Sequence, residues 1–89
     1  MSARDFIICY DIADKKRLAK VARYLEKIAL RVQCSVFLWI NPSEFEFEVV
    51  VGALRNLIDE DSDDLRIYRV KDAGVRMGAG LDLREPLVL

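Results

Sequence analysis

The residue whose type and position most directly suggest chemistry is Asp11. It closes the run Phe6-Ile7-Ile8-Cys9-Tyr10, five apolar residues in a row, so its charge has to be solvated or coordinated. The chain contains no histidine, which removes the usual general base and any serine–histidine triad. Its two cysteines, Cys9 and Cys34, each sit in an apolar run. Without histidine partners they do not complete a zinc set, and they read as buried free thiols. There is no glycine-rich phosphate loop. The hydrolytic route left open is a divalent ion held by carboxylate oxygen and activating water. Magnesium prefers several oxygen ligands, so one aspartate is a poor site, but a two-fold axis beside Asp11 would supply a second copy. The plainer alternative is that Asp11 ends its strand and helps cap the helix that follows.

Arg17 and Arg31 flank this region, and with Lys15 and Lys16 they could form a small patch facing phosphate, or simply solvated surface. Tyr10, Phe37 and Trp39 could stack on bases, or pack in a core or a dimer interface. The acidic run Asp59-Glu60-Asp61-Ser62-Asp63-Asp64 lacks the glycine and the distal glutamate of a calcium-binding hand, and reads as a solvated turn.

These residues must be placed by a small fold. Eighty-nine residues make one domain near the lower limit of independent stability, for which oligomerisation is a common remedy. A hydrophobic fraction of 53% with 33% charged residues describes a globule with apolar surface left over for a partner. The net charge of −1 lacks the basic surplus of a dedicated nucleic-acid binder, so such contact has to come from a local cluster or a basic partner. Arg4 and Asp5 interrupt any signal peptide, and no apolar run approaches a membrane span. A soluble protein of the reducing cytosol is expected.

Phe6–Tyr10 predicts a strand buried on both faces. Asp14 is a plausible N-cap for a helix whose apolar face is Leu18, Val21, Ala22, Leu25, Ile28 and Ala29. Arg31–Ile40 alternates as one strand or a tight pair of short ones. Phe45–Val51 has strand propensity, yet Asn41-Pro42-Ser43-Glu44 reads as a helix start with Asn41 as cap. Positional signals outweigh propensity, which predicts a helix from Pro42 to about Asp59. Leu65–Val70 predicts a strand, and the apolar end Pro86-Leu87-Val88-Leu89 is expected on a sheet edge. The order fits an α+β, ferredoxin-like βαββαβ sandwich with both helices on one face of an antiparallel sheet.

Tyr10-Asp11-Ile12, Asp14, Lys16-Arg17, Val21, Leu25, Arg31-Val32-Gln33 and Ser35-Val36-Phe37 resemble, in order, the pattern of the CRISPR-associated protein 2 family. Leu65-Arg66-Ile67-Tyr68 and the terminal Pro86-Leu87-Val88-Leu89 extend the resemblance over nearly the whole chain. The resemblance implies a domain over residues 1–72 and a tail over 73–89 whose strand is added to the other protomer of a homodimer. It implies a part in acquiring new spacers, with the dimer bridging an integrase partner and the inserted DNA. Some members are described as metal-dependent endonucleases on RNA or DNA. In that scheme the residue matching Asp11 is the catalytic metal ligand, for Mg2+ or alternatively Mn2+. Those matching Arg17, Arg31, Tyr10 and Phe37 support activity or nucleic-acid binding. A scaffold without catalysis, or more remotely a small-molecule regulatory module, are the other readings. Two positions depart from the pattern: Leu38 replaces an acidic or small residue, and Ala29-Leu30 replaces the glycine before Arg31.

Overall fold

The computed structural model describes residues 4–71, 82–83 and 87–89. Its elements run β1 (Asp5–Asp11), α1 (Lys15–Glu26), β2 (Leu30–Gln33), β3 (Val36–Trp39), α2 (Glu44–Leu57), β4 (Asp64–Lys71), β5 (Asp82–Leu83) and β6 (Leu87–Val88). The sheet order is β2-β3-β1-β4-β5, with β6 also on β4, and every pairing is antiparallel. This is the ferredoxin-like arrangement expected from the element order.

Side-chain alternation divides β1 between two faces. Phe6, Ile8 and Tyr10 join Phe37, Trp39, Leu65 and Ile67 in a core closed by Val21 and Leu25 of α1 and Val50 and Leu54 of α2. On the face away from the helices, Ile7, Leu38 and Val70 form a second buried cluster, with Cys9, Val36 and Tyr68 packed around it. The apolar run of β1 is thus explained by burial on both sides, and Asp11 is the one fully exposed position of the strand.

Asp14 caps α1 as expected, its Oδ2 accepting from the Arg17 N–H at 2.9 Å. The helix stops at Glu26, so Ile28 and Ala29 reach the core from the following turn instead of from the helix face. Arg31–Ile40 resolves into a hairpin, with Cys34 and Ser35 in the turn between β2 and β3.

The expected start of α2 needs correcting by two residues. Ser43, not Asn41, is the N-cap; its Oγ accepts from the Glu46 N–H at 3.0 Å, and the Glu46 carboxylate accepts from the Ser43 N–H at 3.3 Å. Asn41 instead takes a left-handed turn at φ 42°, donating its N–H to Asp5 and accepting from the Arg4 N–H. A capping box satisfies two orphan N–H groups reciprocally, and that favours Ser43 over an isolated asparagine.

The apolar C-terminus joins a sheet edge, that of β4 in its own chain: Leu87 pairs with Ile67, and the Leu89 N–H donates to the Leu65 carbonyl at 2.9 Å. Of the tail expected over 73–89, residues 73–81 and 84–86 lie outside the described residues.

Candidate metal and nucleic-acid site

Asp11 is exposed at the end of β1 on the face opposite the helices, and its side chain makes no hydrogen bond or ion pair among the described residues. The helix cap that Asp11 could have supplied comes from Asp14 alone. The register sets Asp64 of β4 directly across from Asp11. Directly opposed residues of antiparallel strands hold their Cβ atoms about 5 Å apart on one face, and like charges there repel. Arg66 offsets the Asp64 charge, its Nε donating to Asp64 Oδ2 at 3.1 Å. Asp11 is left as the uncompensated carboxylate of the corner.

Exposed carboxylate oxygens suit Mg2+, which keeps several waters and is commonly held through one or two carboxylates plus phosphate oxygens. No group of three or more potential metal ligands occurs among the described residues. A single chain therefore offers the Asp11–Asp64 pair, with any further ligand coming from substrate, water or a second copy.

Two residues beyond Asp11, the chain is pinned from an unexpected direction. The Ala13 N–H donates to Asp63 Oδ1 at 2.9 Å. The Asp63 side chain is fully buried, and it also accepts from the Asp59 N–H at 2.8 Å and from Arg17 through Nε at 2.8 Å and Nη2 at 3.1 Å. The Arg17 guanidinium, aided by the two backbone N–H groups, holds the Asp63 carboxyl well below the usual carboxylate range against the effect of burial. The acidic run is thus a solvated turn at Asp59, Glu60 and Asp61 but not at Asp63, which is a buried anchor. Composition concealed it, because one carboxylate among five looks like the others. The available signal was the cation Arg17 on the first turn of α1, where the helix dipole disfavours positive charge unless an anion lies nearby.

Arg17 therefore stands beside the candidate site as the partner of Asp63, with 29% of its side chain exposed. Arg31 lies on the helix side of the sheet, opposite Phe37 in the register, whereas Asp11 faces away from the helices. Its guanidinium sits 5.2 Å from the centre of the Phe37 ring and contacts Glu26 at 3.2 Å. Phe37 is fully buried and stacks on Tyr10 at 6.2 Å between ring centres. Tyr10 is 6% exposed, and its hydroxyl donates to the Cys34 carbonyl at 3.4 Å. Burial pushes the Tyr10 phenol up, partly offset by the Arg31 charge. Tyr10, Phe37 and Trp39 are core residues in the chain, so their ring faces meet other rings instead of bases. Phe37 carries the Arg31 guanidinium on its ring, and Tyr10 ties the last residues of β1 to the β2–β3 turn.

The cysteines divide. Cys9 is half-buried opposite Arg66, and burial raises its thiol above the ordinary range. Cys34 is exposed in the β2–β3 turn, correcting the expectation of two buried thiols. Both are free.

A family model described as "CRISPR associated protein Cas2" matches residues 5–77. A Nitrosomonas europaea protein named CRISPR-associated endoribonuclease Cas2 1 is 43% identical over 76 residues, covering 85% of this chain and 71% of that one. A Thermus thermophilus protein named CRISPR-associated endonuclease Cas2 2 is 37% identical over 91 residues, covering 100% of both chains. The crystal structure of Streptococcus pyogenes Cas2 at pH 6.5 superposes with a TM-score of 0.75 at 29% identity, covering 86% of this chain and 98% of that one.

Proposed function

The chain belongs to the CRISPR-associated protein Cas2 family, and on that footing we propose that it serves CRISPR adaptation as a homodimeric subunit that bridges an integrase partner and DNA, with a metal-dependent phosphodiesterase centre at Asp11. The observation carrying the catalytic part is the corner itself: Asp11 is exposed, lacks any partner among the described residues, and faces a second carboxylate whose charge Arg66 already offsets. Mg2+ bound there, with Mn2+ as the alternative, would supply a polarised phosphate and an activated water. Asp11, paired with its symmetry copy or with Asp64, would hold the ion. The Arg17–Asp63 pair would keep the turn after Asp11 in place, and Arg31 on Phe37 would present charge toward a phosphate backbone. Relatives named both endoribonuclease and endonuclease support a polynucleotide substrate, without choosing between RNA and DNA.

Apolar surface supports self-association. Leu30, Leu38 and Ile40 line a depression at the outer edge of the sheet with Ile28 and Ala29, and Leu30 and Ile40 are more than half exposed. In the dimer the tail strand would add to the neighbour's β4 edge in place of its own, an exchange that costs little because the same backbone bonds form either way.

The decisive experiment is Asp11→Asn in the full chain, assayed with RNA and DNA oligonucleotides in Mg2+. Cleavage should fall about 100-fold or more while the association state is unchanged. Retained cleavage rejects the catalytic centre. A purely architectural role is the second reading, favoured by the engagement of Arg17 with Asp63 and of Arg31 with Glu26. It expects no Mg2+-dependent cleavage by the wild type above that of Asp11→Asn.

A further inference from the structure

Helix α2 is apolar on two sides, and its own chain covers one of them. Val50 and Leu54 are buried, and Phe47, Val51 and Leu57 pack beside them against the core. The strand-like run that the cap overrides leaves its other apolar residues outside: Phe45 is 76% exposed and Val49 is 50% exposed. At about 100° per residue, Phe45, Val49, Gly52 and Asn56 fall within an arc of about 60° that lies opposite Leu54. All four are exposed. A helix with one apolar stripe is satisfied by one neighbour; a second stripe asks for another. Gly52 points the same way. Glycine weakens a helix interior, yet a Cβ placed there would meet nothing within 4 Å. Its own chain gives no steric reason for the missing side chain, whereas bare backbone in mid-stripe lets a side chain from outside approach closely.

The spacing of the four positions, 4-3-4, is that of a helix–helix seam and is the same read in either direction. A two-fold axis perpendicular to α2, level with the midpoint between Val50 and Val51, therefore sets Val49 against the partner's Gly52 and Phe45 against the partner's Asn56. Large meets small at the centre of the seam. The same rotation turns each flank of the helix toward its own copy. One flank carries Glu44, Glu48 and Arg55, all exposed and none in an ion pair among the described residues. Within one helix Arg55 stands seven residues from Glu48, beyond the reach of a side-chain pair. Across the axis the partner's Arg55 falls level with position 46, about 3 Å along the helix from both Glu44 and Glu48. Each guanidinium then lies between two carboxylates. We propose that the outer face of α2 is a self-association surface, on which a second copy of the chain packs its own α2 antiparallel through Phe45, Val49 and Gly52.

A second copy fits better than other occupants. An unrelated basic helix would match Glu44 and Glu48 but face Arg55 with like charge, whereas the same chain supplies both signs in register. An anionic membrane is repelled by Glu44, Glu46 and Glu48 around the stripe. The contact is separate from the tail exchange at β4 and from the depression beside Leu30, so dimers formed there would join through α2 into larger assemblies. A helix pair of this length buries less than the ~1,200 Å² of a stable interface, so the association is weak and appears at high concentration.

Charge reversal gives the test. Sedimentation velocity of the full chain, from about 10 to 500 µM, should show a gain in mass with a dissociation constant on the order of 100 µM. Arg55→Glu leaves three carboxylates on the flank, and Glu44→Lys/Glu48→Lys leaves three cations. Each variant alone should associate at least about tenfold more weakly than wild type, while their equimolar mixture recovers at least the wild-type strength. Adding Val49→Glu to both should abolish the recovery, which separates the seam from attraction between oppositely charged proteins. Circular dichroism checks that α2 is retained in every variant. Absence of a mass gain in wild type, a gain untouched by either reversal, no recovery in the mixture, or recovery that survives Val49→Glu overturns the proposal. A dimer that gains no further mass removes the α2 surface and leaves the tail-exchanged dimer standing. A monomer that pairs only through α2 removes the tail exchange alone.

Discussion

At the residue scale the informative contrast is between two aspartates that look alike in the sequence. Asp11 has solvent and an opposing carboxylate; Asp63 has four hydrogen bonds and no solvent. Asp11 was legible because it breaks an apolar run, whereas Asp63 was hidden in an acidic one whose fate depends on a helix 46 residues earlier. The sign of the pH effect follows from the depressed Asp63 carboxyl. The stabilisation from its ionised form is fully present above the unfolded value of about 3.9 and is lost as pH falls toward the lower folded value. Asp63→Asn should therefore lower the melting midpoint by several degrees at neutral pH. The gap between variant and wild type should close as thermal scans move below about pH 4. A gap independent of pH rejects the ionic account. Iodoacetamide should alkylate Cys34 well before Cys9, read by peptide mass spectrometry, since only Cys34 is exposed and burial keeps the Cys9 thiol protonated.

At the scale of elements, α1, β1 and β4 were readable from spacing, whereas Arg31–Ile40 left one strand or a hairpin open and α2 was decided by its cap signals over its strand-like run. What failed was the start of α2, where two cap signals lie two residues apart. Asn41-Pro42 is a good helix start in isolation, but Asp5 and Arg4 recruit Asn41 to the start of β1, a partnership 36 and 37 residues distant. Ser43→Ala should cost about 1 kcal/mol by denaturant titration, and Asn41→Ala should not melt the first turn of the helix. Equal helix loss in both would restore the earlier start. Phe37 shows the same limit for the site. Its place in the strand was plain, but whether its ring met a base or the core depended on Tyr10 and on both helices. Phe37→Ala should destabilise the chain by about 3–5 kcal/mol, so any loss of activity in that variant has to be judged against its folded fraction.

For the whole molecule, the antiparallel βαββαβ order was available from the alternation of periods, while the occupancy of the β4 edge was not. A two-residue strand carries too little pattern to declare its partner. Sedimentation of the full chain should show a dimer at micromolar concentration, shifting toward monomer when residues 86–89 are removed. A monomer at all concentrations in the full chain rejects the dimeric assembly. The buried Asp63 side chain has one more consequence. It joins the turn after the first strand to the segment that leads into the fourth, so a nascent chain that has not yet exposed residue 63 outside the ribosome has no means of fixing that turn. Maturation of the Asp11 corner is thereby deferred until both halves of the domain have emerged and docked. A truncated translation product ending before residue 63 would leave that turn unfixed, however well its first strand and helix were formed.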